Sequence, residues 1–373
     1  MTDRYDVLIV GGYGSFGSLL TQSLVNVPNI RVWIGGRDSS KAWALANELR
    51  QNTGAREIYA VKLDVNDARL TQLLKLWGIN LLIHTCGPFQ GQSYTVAQAC
   101  VTAGVDYIDL ADSRAFVAGI DGLDEKARTA GVSVISGASS VPALSTAVVD
   151  ALLPCFSELE SIETSISPGN QAPRGLATVR AILSYTGQAF RCWERGRWRS
   201  FYGWQGLARH DYGNLGKRWV ARCEVPDLDL MPQRYPHVQS VRFYAGLELG
   251  LLHFGLWLLS WITRFGWVKN WAPYASLLLT MSQWVEHWGT DQGAMLVKLR
   301  GLDHQGDPIE MFWSLTARNG HGPRIPTMAA SILAKKKAAG KHLHAGAGAC
   351  MGLLSLEEFN QEFEAFDIES RLL

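Results

Sequence analysis

Residues 6–17 read DVLIVGGYGSFG. Val7 to Val10 is a short, wholly apolar run, the pattern of a strand buried on both faces of a parallel sheet. Gly12, Tyr13, Gly14, Ser15, Phe16 and Gly17 follow at once as G-x-G-x-x-G, and Ser18 to Val25 continues as an amphipathic helical run. Strand, glycine turn and helix in this order form the first half of a dinucleotide-binding βαβ unit. Gly12 permits the tight turn, Gly14 lets the backbone approach a pyrophosphate, and Gly17 lets the helix pack close to the strand. The pyrophosphate then meets the unpaired N–H groups and positive end of the helix. Glycine turns are common, so the motif alone is weak; its flanks make a nucleotide site the better reading.

Working outward, Ile30 to Ile34 is a second apolar strand that ends in Gly35-Gly36-Arg37-Asp38. About 20 residues beyond the glycines, such folds read the cofactor ribose. The first side chain available there is Arg37, and a guanidinium suits a 2′-phosphate. NADP is therefore preferred over NAD. Asp38 could reverse this by gripping ribose hydroxyls, and Arg37 as a solvated turn residue is the plain alternative. Ser40 to Leu49 is expected to be helical. Ile58 to Leu63 reads as a third strand ending at Asp64, and Asp64-Val65 lies where an adenine rests in such folds, although Asp64 could equally cap a helix. Asn80 to Thr85 is a fourth strand that runs into Cys86-Gly87-Pro88-Phe89, at the edge where ligands bind a doubly wound sheet. A helix over 92–103, a strand over 107–110, a helix to about Ala130 and a strand over 132–136 follow. This alternation indicates α/β architecture with a parallel sheet.

The chain has 373 residues and a formal net charge of +1, so no global field favours nucleic acid. Six cysteines lie at 86, 100, 155, 192, 223 and 350 without C-x-x-C or another metal spacing, so neither a disulfide framework nor a metal site is expected. The polar start MTDRYD enters the first strand directly, which reads as a cytoplasmic protein. Of 14 tryptophans, ten lie between Trp193 and Trp288, a shift that suggests a second domain with another task.

That second half reads as a strand over 159–167, a helix over 175–190, a hairpin over 192–204 turning at Arg195-Gly196, strands over 218–225 and 238–244, and a strand pair over 294–299 and 309–317. The expectation is an α+β layer with a mostly antiparallel sheet. Within it, Leu247 to Met281 is strongly apolar. Its first piece is too short to span a membrane, which takes about 20 residues. It reads first as a pair of buried core helices. A lid, a dimer interface, or a hairpin lying in a membrane interface with tryptophans at headgroup depth are the alternatives. Thr327 to Ala338 is a helix whose terminal Lys335, Lys336 and Lys337 read as solvated. Ser355 to Glu358 is a capping box.

Four blocks carry a resemblance: VGGYGSFG at 10–17, GGRDSSKA at 35–42, LDVNDARL at 63–70 and, above all, HTCGPFQGQSYTVAQACVTAGVDYIDLADS at 84–113. The chain resembles the saccharopine dehydrogenase-like (saccharopine reductase-like) NADP-binding oxidoreductase family, most firmly over its first 145 residues. The resemblance implies a Rossmann doubly wound sheet over 1–145, an inserted α+β substrate and dimerisation domain over 146–322, and a C-terminal segment over 323–373, read as helices, that packs back on the first domain. It implies hydride transfer with NADP. It also implies that Gly12, Gly14, Ser15, Phe16 and Gly17 hold the pyrophosphate, Arg37 the 2′-phosphate, Asp64 and Val65 the adenine, and Cys86, Gly87, Pro88 and Phe89 the ribose and nicotinamide.

Family members that reduce amino-acid-derived imines need basic groups for substrate carboxylates, and no such set maps onto the second half. Hydride transfer to a C=N or C=C bond of a small, largely apolar substrate is therefore the leading reading. The rivals are a non-catalytic NADP-binding, lipid- or membrane-associated scaffold, and an opine-type amino-acid reductase. The expected partners are a small-molecule substrate, a membrane surface met peripherally through 247–281, and a second copy in a homodimer. A proton donor is wanted at the carboxyl ends of strands four to six. Asp112 best reaches the cleft. Asp109 is the second candidate, or a brace for the loop. His84, Cys86 and Tyr107 lie nearby, and His321 and Arg324 could approach from the loop after the last sheet strand.

Overall fold

The apolar run at the amino terminus becomes β1 (Tyr5–Val10), whose Val7, Leu8 and Ile9 are fully buried. After it come α1 (Ser15–Leu24), β2 (Ile30–Gly36), α2 (Ser39–Thr53), β3 (Ile58–Lys62), α3 (Leu70–Leu76), β4 (Leu81–His84), α4 (Thr95–Ala103), β5 (Asp106–Asp109), α5 (Arg114–Ala118), α6 (Asp124–Ala130) and β6 (Ser133–Ser136). These strands pair wholly in parallel in the order β6-β5-β4-β1-β2-β3. The chain therefore reverses its winding direction between β1 and β4, where α/β sheets open a ligand crevice. This computed structural model describes residues 4–55, 57–341 and 343–372.

The second unit contains α7 (Ser145–Leu152), β7 (Glu158–Ser167), α8 (Leu176–Tyr185), β8 (Ala189–Glu194), β9 (Arg197–Tyr202), β10 (Gln205–Asp211), β11 (Lys217–Arg222), α9 (Asp227–Arg234), β12 (Ser240–Ala245), α10 (Gly250–Arg264), α11 (Ala275–Gln283), β13 (Gly293–Leu302) and β14 (Pro308–Ala317). Its sheet runs β10-β11-β12-β7-β13-β14, with β8 on β12 and β9 on β8. The pairings are antiparallel except β12 with β7. The helix expected over 175–190 stops at Tyr185, because Thr186 turns extended and Phe190 already belongs to β8. β10 and α9 have no counterpart in the sequence reading; Pro232 inside α9 broke its pattern.

The chain then forms α12 (Ile325–Ala338), β15 (Gly346–Ala349), α13 (Leu356–Phe363) and β16 (Ile368–Leu372). The two helices expected after 323 are present as α12 and α13, but two strands accompany them and the segment does not return whole to the first domain. Residues Arg324–Leu354 join Met1–Ala143 in one compact unit, while Ser355–Leu373 joins Leu144–Pro323 in the other. β15 extends the parallel sheet beyond β6, from Gly346 opposite Ser133 to Ala349 opposite Ser136. β16 extends the second sheet beyond β14. The capping box at Ser355 is present, with Glu358 N donating to Ser355 Oγ at 3.2 Å.

Lys337 is not solvated. Its ammonium donates to Asp106 Oδ2 at 2.6 Å and to Ser133 Oγ at 3.1 Å, tying α12 to β5 and β6. The helix is otherwise buried nearly all round, from Ile325 through Ala334.

The core-helix reading of 247–281 fails. α10 buries a polar stripe, His253, Ser260 and Thr263, and turns its apolar stripe outward. Leu251 is 64% exposed, and Phe254, Leu258, Phe265 and Trp267 continue the outward series. Leu251, Phe254 and Leu258, spaced by three and four residues, share one face of α10, and Phe265 and Trp267 extend the exposed series into the turn after it. After the turn, Tyr274, Leu277, Met281, Trp284 and Trp288 repeat the spacing, and all are exposed. The inward stripe has reasons to be polar. His253 Nδ1 lies 3.4 Å from the donating Leu247 amide, and its ring meets the edge of buried Trp204 at 5.4 Å.

Candidate functional site

The turn after β1 is built on the backbone. Gly11 adopts φ +79, and a Cβ there would stand 2.8 Å from both Cys86 Sγ and Thr85 Oγ1. The turn after β1 thus lies directly against the turn after β4, across the point where the winding reverses. The left-handed residue is Gly11; Gly12, expected to make the tight turn, sits over Ile9 O instead. A Cβ on Gly17 would come 2.1 Å from Gly11 O, so only glycine lets α1 begin this close to the loop. α1 starts at Ser15, three residues before the amphipathic run, so Ser15, Phe16 and Gly17 form its first turn. Gly14 caps it with no side-chain acceptor. The first N–H groups of α1 keep their capacity to bind an anion.

At the end of β2, the Tyr13 ring lies against Gly36, where a Cβ would meet Cε1 at 2.3 Å. The Asp38 amide donates to Tyr13 Oη at 2.9 Å. Asp38 Oδ1 accepts from Ser40 N at 3.0 Å and Lys41 N at 3.2 Å, as the cap of α2. Its carboxylate is committed to the helix, which removes the main objection to Arg37 as the group that reads the ribose. Arg37 is exposed.

Asp64 folds back on its own loop, accepting from Asn66 N at 3.0 Å. Val65 packs on the core below. Burial pushes the Cys86 thiol up to about 11; the Arg37 guanidinium opposes the shift and the Asp64 carboxylate adds to it. The three residues therefore share one electrostatic neighbourhood at the carboxyl edge. Gln92 buckles the turn after β4, donating through Nε2 to Cys86 O at 2.8 Å and Pro88 O at 2.7 Å. The ring of Phe89 is buried between His84 and Phe116, so this residue shapes the turn from below and offers no ring to a ligand.

Asp109 is fully buried. Its Oδ1 accepts from Gly137 N at 2.8 Å, Ala111 N at 2.9 Å and Ser136 Oγ at 3.0 Å, while Oδ2 has no hydrogen-bond partner. Burial raises it to about 6 and the donors hold it back. It braces the loops after β5 and β6 and does not reach solvent, which corrects its reading as a catalytic group. His84 is buried, brought down to about 4 by burial, with Nδ1 3.2 Å from Tyr107 Oη. The Tyr107 hydroxyl is held well above its usual value by burial and by Asp109. Asp112 is an exposed residue beyond β5 between the buried Ala111 and Ser113; Gln90 Nε2 donates to it at 3.4 Å, and the protein crowding its carboxyl pushes its pKa up. His321 accepts from Asp367 N at 3.0 Å within the second unit, and Arg324 donates to Gln22 at 2.9 Å within the first. Both have structural partners.

Tyr13, Gly11 and Gln92 escaped the sequence reading. The doubled glycine at 11–12 was a signal for the second of these. The other two carry none, because their roles arise from tertiary contact.

On the second sheet, three buried or half-buried arginines, Arg218, Arg222 and Arg242, have acidic partners. Arg222 donates to Glu194 at 3.3 Å, Arg242 pairs with Glu194 and lies 3.7 Å from Glu163, and Arg218 lies 3.4 Å from Glu248.

Residues 7–135 match the saccharopine dehydrogenase NADP-binding domain. A "Lipid droplet localized protein" of Caenorhabditis elegans is 26% identical over 147 residues, a match that spans 38% of this chain and 34% of that protein. The fold is similar to that of apo saccharopine dehydrogenase (L-Glu forming) from Saccharomyces cerevisiae, with a TM-score of 0.70 at 13% identity, covering 99% of this chain and 100% of the other. The glycine turn, the open first turn of α1 and the free Arg37 fit NADP, whose nicotinamide supplies hydride chemistry when bound. Residues 7–135 are thus a saccharopine dehydrogenase-type NADP-binding domain, in a chain whose fold is that of a dehydrogenase.

Proposed function

We propose that the protein transfers a hydride between NADP(H) and a C=N or C=C bond of a small, largely apolar substrate. One observation carries the substrate class: Arg218, Arg222 and Arg242 of the second sheet are already matched by Glu194, Glu163 and Glu248. A substrate carboxylate would have to displace a partner that leaves a half-buried carboxylate behind. This weighs against an opine-type amino-acid reductase. In the reduction, Asp112 delivers the proton to the nitrogen or carbon left electron-rich by the hydride, and solvent reprotonates it. Ser15, Phe16 and Gly17 hold the pyrophosphate through their amides, and Arg37 holds the 2′-phosphate. NADPH oxidation, followed at 340 nm across a panel of imines, enoyl thioesters and 2-oxo acids with amino acids, tests this. Turnover confined to the amino-acid pairs would overturn it.

A second reading, a non-catalytic NADP-binding scaffold at a lipid surface, draws on the burial of His84, Tyr107 and Asp109, which leaves Asp112 as the main accessible acid at that edge. Peripheral lipid contact is part of either reading. It is supported by the outward stripes of α10 and α11 and by the name of the nematode relative. Full binding of NADPH with no turnover across the panel would favour the scaffold.

A further inference from the structure

α10 is built the wrong way round for a helix in water. His253 is 0% exposed, whereas Leu251, Phe254 and Leu258 on the opposite stripe face out. Water-facing helices place charge on that side. The outward faces of α10 and the segment up to Trp288 hold ten of the large exposed hydrophobic side chains among the described residues, and Trp267 is 80% exposed. Exposed apolar area concentrated in this way marks a contact surface.

The chemistry of the segment separates its occupants. Between Glu248 and Glu286 the sequence has no acidic residue, and its only cations are Arg264 and Lys269, on either side of the Phe265–Trp267 turn. In a two-fold contact between copies, the same patch meets itself. Arg264 and Lys269, with Glu286 only at the far end of the segment, would then bring like charge together at the turn. An anionic lipid surface is complementary to the same pattern, and tryptophans at the ends of the apolar stripes suit the headgroup boundary. Length rules out a span: the 15 residues of α10 reach about 22 Å, against a hydrocarbon core of about 30 Å. No helix among the described residues is long and apolar enough to cross a membrane.

We propose that the outward faces of α10 and α11, with the turn between them, form a docking surface for anionic lipid, lying in the plane of the interface with Lys269 at headgroup level. The proposal rests on the peripheral lipid contact inferred above and is independent of the reaction. Seating is already provided: Trp271 Nε1 donates to Leu259 O at 3.1 Å, Gln188 donates to Lys269 O at 2.6 Å, and Arg264 donates to Gln205 at 2.7 Å. The turn is thus held to the body of its own unit while its apolar side chains stay uncovered.

Flotation of the full-length protein with phosphatidylcholine vesicles, with and without phosphatidylglycerol, tests this. The expected result is flotation that needs phosphatidylglycerol and weakens as salt rises. The double variant Leu251→Ser/Leu258→Ser is expected to reduce it at least tenfold. Lys269→Glu is expected to reduce it about fivefold or more on anionic vesicles. The substituted side chains face solvent, and an unchanged circular dichroism spectrum and NADPH affinity verify the fold. Equal flotation with both vesicle types would overturn the anionic proposal and leave peripheral contact standing. Flotation unaffected by the leucine substitutions would overturn the assignment of the face. No flotation, with a dimer that Leu258→Ser converts to monomer, would overturn both and make the surface a contact between copies.

Discussion

Tyr13 and Asp38 are locked together beyond the end of β2: the Asp38 amide donates to Tyr13 Oη at 2.9 Å while the Asp38 carboxylate caps α2. Arg37, between the two glycines and the cap, is exposed, and in the proposed site it holds the 2′-phosphate. Arg37→Ala is expected to weaken NADPH binding about tenfold to a hundredfold and to leave NADH binding nearly unchanged. Fluorescence titration of both nucleotides measures it; equal losses for the two would remove Arg37 from the 2′-phosphate.

The same lock gives a second-site test. Gly36→Ala would drive a methyl to 2.3 Å from Tyr13 Cε1. The variant is expected to lose about 1–3 kcal/mol of stability. Adding Tyr13→Ala should recover most of that loss, which urea denaturation of the two single variants and the double variant would show. Additive losses would mean that the ring moves aside freely.

Asp109 gives a pH dependence whose sign is fixed. Its value of about 6 in the folded chain lies above the ordinary value of 3.8. Its contribution to stability is therefore complete below about pH 4 and fades as pH rises through about 6, on the order of 3 kcal/mol in all. Asp109→Asn keeps an acceptor for Gly137, Ala111 and Ser136 without the charge. The variant should gain on the wild type by that order between pH 4 and pH 7.5. Parallel stability–pH curves would refute this.

Asp112→Asn separates chemistry from scaffold. In the reductase reading kcat falls about 10²- to 10⁴-fold while NADPH affinity holds. An unchanged kcat on an identified substrate would transfer the proton to another donor.

Lys337→Met removes the ammonium that Asp106 and Ser133 share. The expected cost is about 1–3 kcal/mol. Loss of the anchor should also speed proteolytic cleavage of the segment after α12. A variant as resistant as the wild type would show that apolar packing of α12 alone secures the segment.

β1 and β4 were legible because both of their faces are buried, so Val7–Val10 and Leu81–Ile83 appear as unbroken apolar runs. The exposed place of Arg37 at the end of β2 was legible because the second strand of such a unit ends at a set distance from the glycine turn. β15 was not: Gly-Ala-Gly-Ala has no strand signature, and it pairs with β6 through backbone alone. α10 misled for a different reason. Apolar periodicity reports a helix but not which face turns inward, and the clue lay in the small polar set at 253, 260 and 263. Asp109 and Asp112 sit three residues apart on one stretch, and only the positions of Ser136 and Gly137, brought in by β6, decide which of them is a brace.

β15 also bears on how the chain is made. The Ser133 hydroxyl donates to Leu343 O, 210 residues further on, and Lys337 reaches Asp106 over 231. During synthesis, the edge of β6 stays open while residues Leu144–Pro323 of the second unit emerge from the ribosome. Domains generally fold as units as they are made. Here the nucleotide-binding sheet is the first to begin and among the last to close, and its bare edge is a point where a chaperone, or another nascent chain, can pair before its own strand arrives.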